Sequence, residues 1–323
     1  MKTPGFWTKF SLVSTLLLPL SGLYFLGAQV RPLLTKPVKV NVPVLCVGNL
    51  TAGGAGKTPT VVALVEFLRE LGAVPHVLSR GYGGSLSGPL QVDPDKHSAG
   101  EVGDEPLLLA RHAPVWIGKD RVASAKAAIV AGATVLIMDD GFQNPSLNKD
   151  LSLLVVGGSY GFGNQRLLPA GPLREGLSSG LARSQGMLII GEDVHNVGEY
   201  AEGKALLKAR IQADNAASQR LNGQDVVAFA GIGLPEKFRK TLEALGANVV
   251  SFQAFADHHK FTISEIEALI GKAKDLDVPL VTTEKDWVRL PEKLRASVQQ
   301  LPIEVVFEDE AQVRSWLAGN LIG

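Results

Sequence analysis

The sequence predicts an α/β protein with a P-loop NTPase-type domain built on a mostly parallel sheet. A smaller C-terminal α/β domain and an N-terminal membrane-associated helix complete the expectation. Three observations carry it. From Val44 to Leu71 the chain reads VLCVG, then NLTAGGAGKTP, then TVVALVEFLREL: an apolar strand, a glycine-rich turn, and a segment of helical period. A second strand–turn–helix–strand pattern, VVAFAGIGLPEKFRKTLEALGANVV, restarts at Val226 after a polar connecting stretch. The 21 residues from Phe10 to Val30 carry no charge. The expected divisions are 1–35, 36–210 and 211–323.

As a helix, the N-terminal apolar run would be about 31 Å long, near the thickness of a bilayer's hydrocarbon core. Lys2 and Lys9 precede it, and Arg31, Lys36 and Lys39 follow. Pro19, Ser11, Ser14 and Ser21 weaken a spanning reading, and cations on both sides give little orientation bias. No small-x-small site suggests cleavage of a signal peptide. A helix embedded at the inner leaflet, with its cations among anionic headgroups, fits best.

The glycine-rich turn is a P-loop. Its bare amides and the helix that follows favour phosphate, Lys57 can reach β- and γ-phosphates, and the Thr58 hydroxyl is a natural Mg²⁺ ligand. The usual GxxxxGK[ST] pattern has glycine where Thr51 stands. Pro59 suits a first helical turn, and Val61, Leu64, Val65 and Leu68 repeat at helical spacing up to Gly72.

Val74 to Leu78 reads as the next strand, ending in SRGYGG, where Arg80 sits either in a ligand loop or in a plain surface turn. In VGDEPLLLARHAPV, Asp104 reads from its position as a possible N-cap. Lys119 and Arg121 of GKDRV are either phosphate ligands or a solvated helix start. TVLIMDDGFQN places Asp139 and Asp140 at the end of an apolar strand, the Walker-B arrangement for holding Mg²⁺ opposite the P-loop threonine.

Leu151 to Val156 and Met187 to Ile190 read as strands. The Gly- and Pro-rich loop Phe162 to Leu177 between them carries Arg166, Arg174 and Glu175. In the second unit GIGLPE lacks a third glycine and reads as a structural turn. FADHHKF gathers Asp257, His258 and His259, and Ser264 with Glu267 suggests a capping box. Pro279 to Thr283 is a strand ending in TEKD, and Ile303 to Phe307 is expected to close the sheet.

Lys plus Arg equals Asp plus Glu, 32 each, so no global basic field argues for nucleic acid. Cys46 is the only cysteine, which excludes intramolecular disulfides and Cys-cluster zinc, and its apolar strand marks it as core.

With these motifs in hand, the chain resembles the tetraacyldisaccharide 4′-kinase (lipid A 4′-kinase) family. The resemblance runs over nearly the whole chain: the apolar N-terminal helix, GNLTAGGAGKTP, SRGYGG, GDEP, DDGFQ, LPAGPLRE, the FADHH loop and TTEKD, in order. It implies transfer of the ATP γ-phosphate to the 4′-hydroxyl of a tetraacylated glucosamine disaccharide 1-phosphate at the cytoplasmic face of the inner membrane. Thr51, Ala52, Gly53, Gly54, Ala55, Gly56, Lys57 and Thr58 would bind ATP, and Thr58 with Asp139 or Asp140 would handle Mg²⁺. Asp104 would be the catalytic base and His258 its partner. Arg80, Glu105, Arg121, Arg174 and Glu175 are further substrate or phosphate candidates.

Because His258 comes from the second domain, the site is expected in the interdomain cleft. His259, His76, His97, His112 and His195 are assigned structural roles. The implied partners are the lipid disaccharide and the membrane, and nothing calls for an obligate protein partner. The competing reading is a membrane-associated P-loop ATPase switch of the partition or targeting type. Its signature lysine would stand where this chain has Ala52. A signalling GTPase would need NKxD, and TEKD lacks the leading Asn.

Overall fold

The computed structural model describes residues 4–322. Among these residues two sheets form, one of nine strands and one of four. In chain order the strands are β1 (Val44–Gly48), β2 (Pro75–Ser79), β3 (Leu90–Gln91), β4 (Val115–Ile117), β5 (Val135–Asp139), β6 (Leu151–Gly157), β7 (Gly186–Ile190) and β8 (Ala205–Ala213). There follow β9 (Asp225–Ala230), β10 (Asn248–Ala254), β11 (Leu280–Thr283), β12 (Gln299–Leu301) and β13 (Ile303–Phe307). The large sheet runs β13-β8-β7-β6-β1-β5-β2-β4-β3 and is parallel except at its two edges, β13 and β3.

β1 is buried along its whole length because both of its faces are covered. Leu45 and Val47 point into one core with Val61, Leu64 and Val65 of the helix Lys57–Glu70. Val44 and Cys46 point into the opposite core with Ala125 and Ala128 of the helix Arg121–Val130. The period-2 alternation of the strand and the apolar stripe of the helix are thus both satisfied. From β1 the chain runs outward past β5 to β2, while later strands add on the β6 side. Strand order therefore reverses at β1, which opens a crevice at the strands' carboxyl ends.

The second sheet, β10-β9-β11-β12, is parallel throughout. Phe238 and Leu242 of the helix Pro235–Ala244 cover one face, and Ile266 and Leu269 of the helix Ile263–Asp275 cover the other. That second helix starts two residues earlier than its sequence suggests. Thr262 is the N-cap, paired with Glu265 (Thr262 N–H to Oε2, 2.8 Å) in place of the expected Ser264–Glu267 box. A second departure is larger. Ile303–Phe307 does not close this sheet but returns to the first, antiparallel to β8, with Phe307 edge-on to Phe67. Its partner strand β8 straddles the expected 210/211 division.

The apolar N-terminal run forms two helices, Leu12–Leu16 and Leu18–Leu34. Pro19 stands in the first turn of the second, where its missing N–H costs nothing, so the proline restarts the helix. No helix among the described residues is long and apolar enough to cross a membrane. Lys2 and the Arg31 side chain lie outside the described residues.

Two of the three serines that weaken a spanning reading face the protein, while Ser11 caps its own helix. Ser14 and Ser21 are buried. Ser21 Oγ donates to Leu167 O (2.9 Å) and accepts from Ala170 N–H (3.1 Å), and Arg166 donates to Ser14 Oγ (2.9 Å). The leucines face outward, with Leu12, Leu16, Leu23 and Leu26 all more than 60% exposed.

Candidate active site

The P-loop leaves the carboxyl end of β1 and curls into the helix Lys57–Glu70 through Gly56, whose φ of +82° is left-handed. A Cβ there would also lie 2.7 Å from Ile190 Cδ1. The non-glycine at Thr51 is explained by its backbone. Thr51 lies in an antiparallel bridge with Leu173, where any residue fits. Asn49 supports the loop from inside, its side-chain amide donating to Thr51 O (2.8 Å) while its Oδ1 accepts from Lys57 Nζ (3.1 Å).

The long loop from Phe162 is stitched to the P-loop by backbone bonds, Ala52 N–H to Pro172 O and Arg174 N–H to Leu50 O, both 2.8 Å. That brings Arg174 Nη1 to 2.9 Å from Asp140 Oδ2, while Lys57 Nζ stands 3.4 Å from Asp140 Oδ1. Lys57 lies within ion-pair distance there but outside hydrogen-bond geometry, since Asp140 Oδ1 is a buried oxygen without a hydrogen-bond donor. Glu175 accepts from Gln143 Nε2 (2.9 Å) and pairs with Arg183. Gln143 also donates to Asn49 O (3.0 Å), closing a ring of contacts around the loop.

Close packing fixes the geometry beneath. A Cβ on Gly48 would approach Phe142 Cβ to 2.7 Å. Gly48→Ala is therefore expected to lower stability by about 1–3 kcal/mol, measured as a fall in the urea midpoint at constant slope.

Asp139 ends β5 almost fully buried (3% exposed), and its Oδ1 has no hydrogen-bond donor. Burial, with Glu105 and Asp140 nearby, pushes its pKa up to about 7 against the pull of Lys57 and Arg121. An orphaned buried carboxylate oxygen within reach of the P-loop lysine's charge suits a hard cation that draws its remaining ligands from phosphate and water. Among the described residues no cluster of three or more His, Cys, Asp or Glu side chains supplies a self-sufficient metal cage.

Arg121 is neither exposed nor a cap. Asp120 caps its helix, Lys119 is solvent-exposed, and Arg121 is 4% exposed and donates to Gly118 O. Burial lowers its pKa to about 10, with the Asp139 and Asp140 charges opposing that shift and the Arg80 charge adding to it. Arg80 itself is exposed.

Asp104 is not an N-cap either, since Gly103 occupies that position. The Asp104 side chain instead meets the second sheet. His258 Nδ1 lies 3.1 Å from its Oδ2, Arg289 Nε donates to the same oxygen (2.9 Å), and Arg289 Nη2 adds a second contact. Burial alone would raise this carboxyl's pKa. The His258 bond and the Lys285 and Arg289 charges outweigh it and hold the group well below the usual carboxylate range. Lys285 Nζ bonds Glu105 Oε1 (2.8 Å), and the Glu105 charge in turn bears on Asp139. The two clusters therefore share one electrostatic environment. Sequence patterns had missed Asn49, Gln143, Arg183 and Arg289. The available signal for Arg289 was its spacing, an i,i+3 partner of Asp286 just past the TEKD strand end.

A sequence profile of the Tetraacyldisaccharide-1-P 4′-kinase family matches residues 13–322. The chain belongs to this family. Its sequence is 52% identical to the tetraacyldisaccharide 4′-kinase of Rhodospirillum centenum, covering 100% of this chain and 98% of that one. To the Rhodospirillum rubrum enzyme of the same name it is 47% identical, covering 99% of each. The fold matches the crystal structure of LpxK from Aquifex aeolicus in complex with ATP at a TM-score of 0.80 and 31% identity, over 96% of this chain and 100% of that one. Family membership makes this chain a kinase and sets aside the partition-type switch.

Proposed function

We propose that the chain transfers the γ-phosphate of ATP to the 4′-hydroxyl of a tetraacylated glucosamine disaccharide 1-phosphate, with Asp104 taking the hydroxyl proton. The observation that carries this reading is the contact between Asp104 and His258, 154 positions apart in the sequence, next to Glu105, whose charge bears on the buried Asp139. Thr51 to Thr58 wrap the triphosphate, and Lys57 meets its outer phosphates. Arg174 and Lys57 hold Asp140 as an anion at the same place.

Thr58 and Asp139 would hold Mg²⁺, with Asp139 the direct ligand because Asp140 is already engaged by two cations. When bound, the ion neutralises charge on the transferring phosphoryl. Phosphoryl transfer otherwise asks mainly for alignment and a nearby acceptor for the alcohol's proton. Arg121, Arg80, Glu105 and Glu175 frame the charge around that centre. The direct test is transfer of labelled γ-phosphate to tetraacyldisaccharide 1-phosphate by wild type, Asp104→Ala and His258→Ala. Equal rates in all three would remove the base and its partner.

The N-terminal helices support work at a lipid surface, at the cytoplasmic face of the inner membrane. Four acyl chains leave a bilayer only at a cost of about 0.8 kcal/mol per CH₂, so the enzyme has to meet its substrate there. Their polar side is consumed by docking to the 162–174 loop, and the leucines are left outward. Replacing the outward Leu12, Leu16 and Leu23 with glutamate should weaken vesicle binding by roughly tenfold or more per residue. Turnover of detergent-dispersed substrate should stay near wild type. Unchanged co-sedimentation with anionic vesicles would count against the anchoring role.

A further inference from the structure

We propose that Arg289 is the positioning residue of the transfer reaction: it clamps Asp104 Oδ2 to the second sheet and leaves Oδ1 as the oxygen that accepts the sugar proton. This inference rests on Asp104 being the base. Arg289 is a buried fork whose side chain is 6% exposed. One edge of its guanidinium, Nε and Nη2, meets Asp104 Oδ2. The remaining nitrogen, Nη1, donates to Gly231 O (2.9 Å) and Asp286 Oδ1 (2.8 Å). Asp286 is fully buried and is itself fixed by Gly231 N–H (2.9 Å) and the Thr283 hydroxyl (2.8 Å). A planar fork so anchored holds a carboxylate in both position and rotation, which a lysine point charge cannot do.

All the contacts to the Asp104 carboxylate among the described residues end on the same atom. His258 Nδ1 (3.1 Å), Lys285 Nζ (4.0 Å) and both Arg289 nitrogens address Oδ2. Oδ1 has no such partner, and it is not among the buried unpaired oxygens, so it reaches solvent. In the transfer step the hydroxyl oxygen forms its bond to Pγ as its O–H bond breaks, and the proton passes to Oδ1. The bond from Pγ to the β,γ-bridging oxygen breaks, and its electron pair leaves with ADP. His258 is steadied by a backbone N–H to Gly231 O (3.1 Å), so Gly231 anchors both partners of the carboxylate.

The groups that face Asp104 are His258, Lys285 and Arg289, backed by Asp257, Glu105 and Asp286. Removing the Arg289 cation leaves a buried carboxylate with less to hold its charge, so its proton affinity rises. Full-length Arg289→Gln, assayed with ATP and detergent-dispersed substrate, should lose roughly 10- to 100-fold in kcat. The KM of either substrate should change less than about threefold, and the acid limb of the kcat–pH profile should move to higher pH. Arg289→Lys, which keeps the charge without the fork, should fall between the two.

Wild-type kcat with an unmoved limb would overturn the proposal. So would a lost kcat with an unmoved limb, which would mark Arg289 as merely structural. If the Gln variant fails to fold, the Lys variant decides: wild-type kcat there also overturns it. Asp104→Asn separates the two levels. An active Asp104→Asn enzyme removes the base itself, whereas an inactive one beside an unaffected Arg289→Gln removes only the clamp.

Discussion

Asp104→Asn is expected to lower kcat by roughly 10²- to 10⁴-fold while leaving the KM for ATP close to wild type. The substitution keeps shape and removes only the negative charge, so what is lost is the ability to accept a proton late in the reaction. The carboxyl is held ionised well below neutrality by His258, Lys285 and Arg289 against the penalty of burial. Its folded pKa is thus depressed, and the stability it contributes is present above the unfolded pKa of about 4 and is lost as pH falls toward the folded value. At neutral pH that contribution is complete in wild type and absent in the variant. Arg289 keeps Asp286 and Gly231 O as partners, so the variant should still fold, with a reduced melting temperature. Steady-state kinetics below that temperature, paired with a thermal melt, check both parts. A variant with normal kcat would remove Asp104 from the chemistry.

What the sequence made legible follows the range of the interactions concerned. Local signals sufficed for β1, the P-loop and its helix, because strand burial, glycine turn and helical stripe are all written within Val44 to Leu71. Asp139 and Asp140 were legible for the same reason. The fate of Ile303–Phe307 was not. An apolar strand at the end of a chain pairs with whichever edge is open, and that edge was β8, not the neighbouring sheet. Two serines of the N-terminal run that weaken a spanning helix are also its docking points, Ser21 against Leu167 and Ala170 and Ser14 against Arg166. Arg121 read as either a phosphate ligand or a solvated helix start; it is buried and feels the charges of Asp139 and Asp140, which spacing alone does not reveal. Asp104 and His258 entered through the family resemblance. From residues alone each had an ordinary reading, as a cap and as a loop histidine. Only tertiary contact across two sheets joins them, and Arg289, on which they converge, belonged to none of the motifs that flagged them.

Asp139→Asn is expected to separate activity from stability. In the metal-free protein Asp139 is a buried carboxyl whose pKa stands near 7, raised by burial and by Glu105 and Asp140. A folded pKa above the unfolded value means that the native state binds the proton more tightly. Stability is therefore surrendered as pH climbs from about 4 to about 7, and the whole penalty is present above that window. Asparagine carries no such charge, so in chelator at pH 8 the variant should melt higher than wild type, with a gain of up to about 4 kcal/mol. Its kcat should nevertheless fall by roughly 10²- to 10³-fold, the scale of losing one group that stabilises developing charge. The Mg²⁺ concentration needed for half activation should rise as well. Asp140→Asn should behave differently: it frees Lys57 and Arg174 from their shared anion, so its stability in chelator should fall. Opposite signs for two adjacent aspartates would distinguish a residue kept for a cation from one kept for an ion pair. A destabilised Asp139→Asn protein with wild-type Mg²⁺ dependence would show that the buried oxygen serves the fold instead.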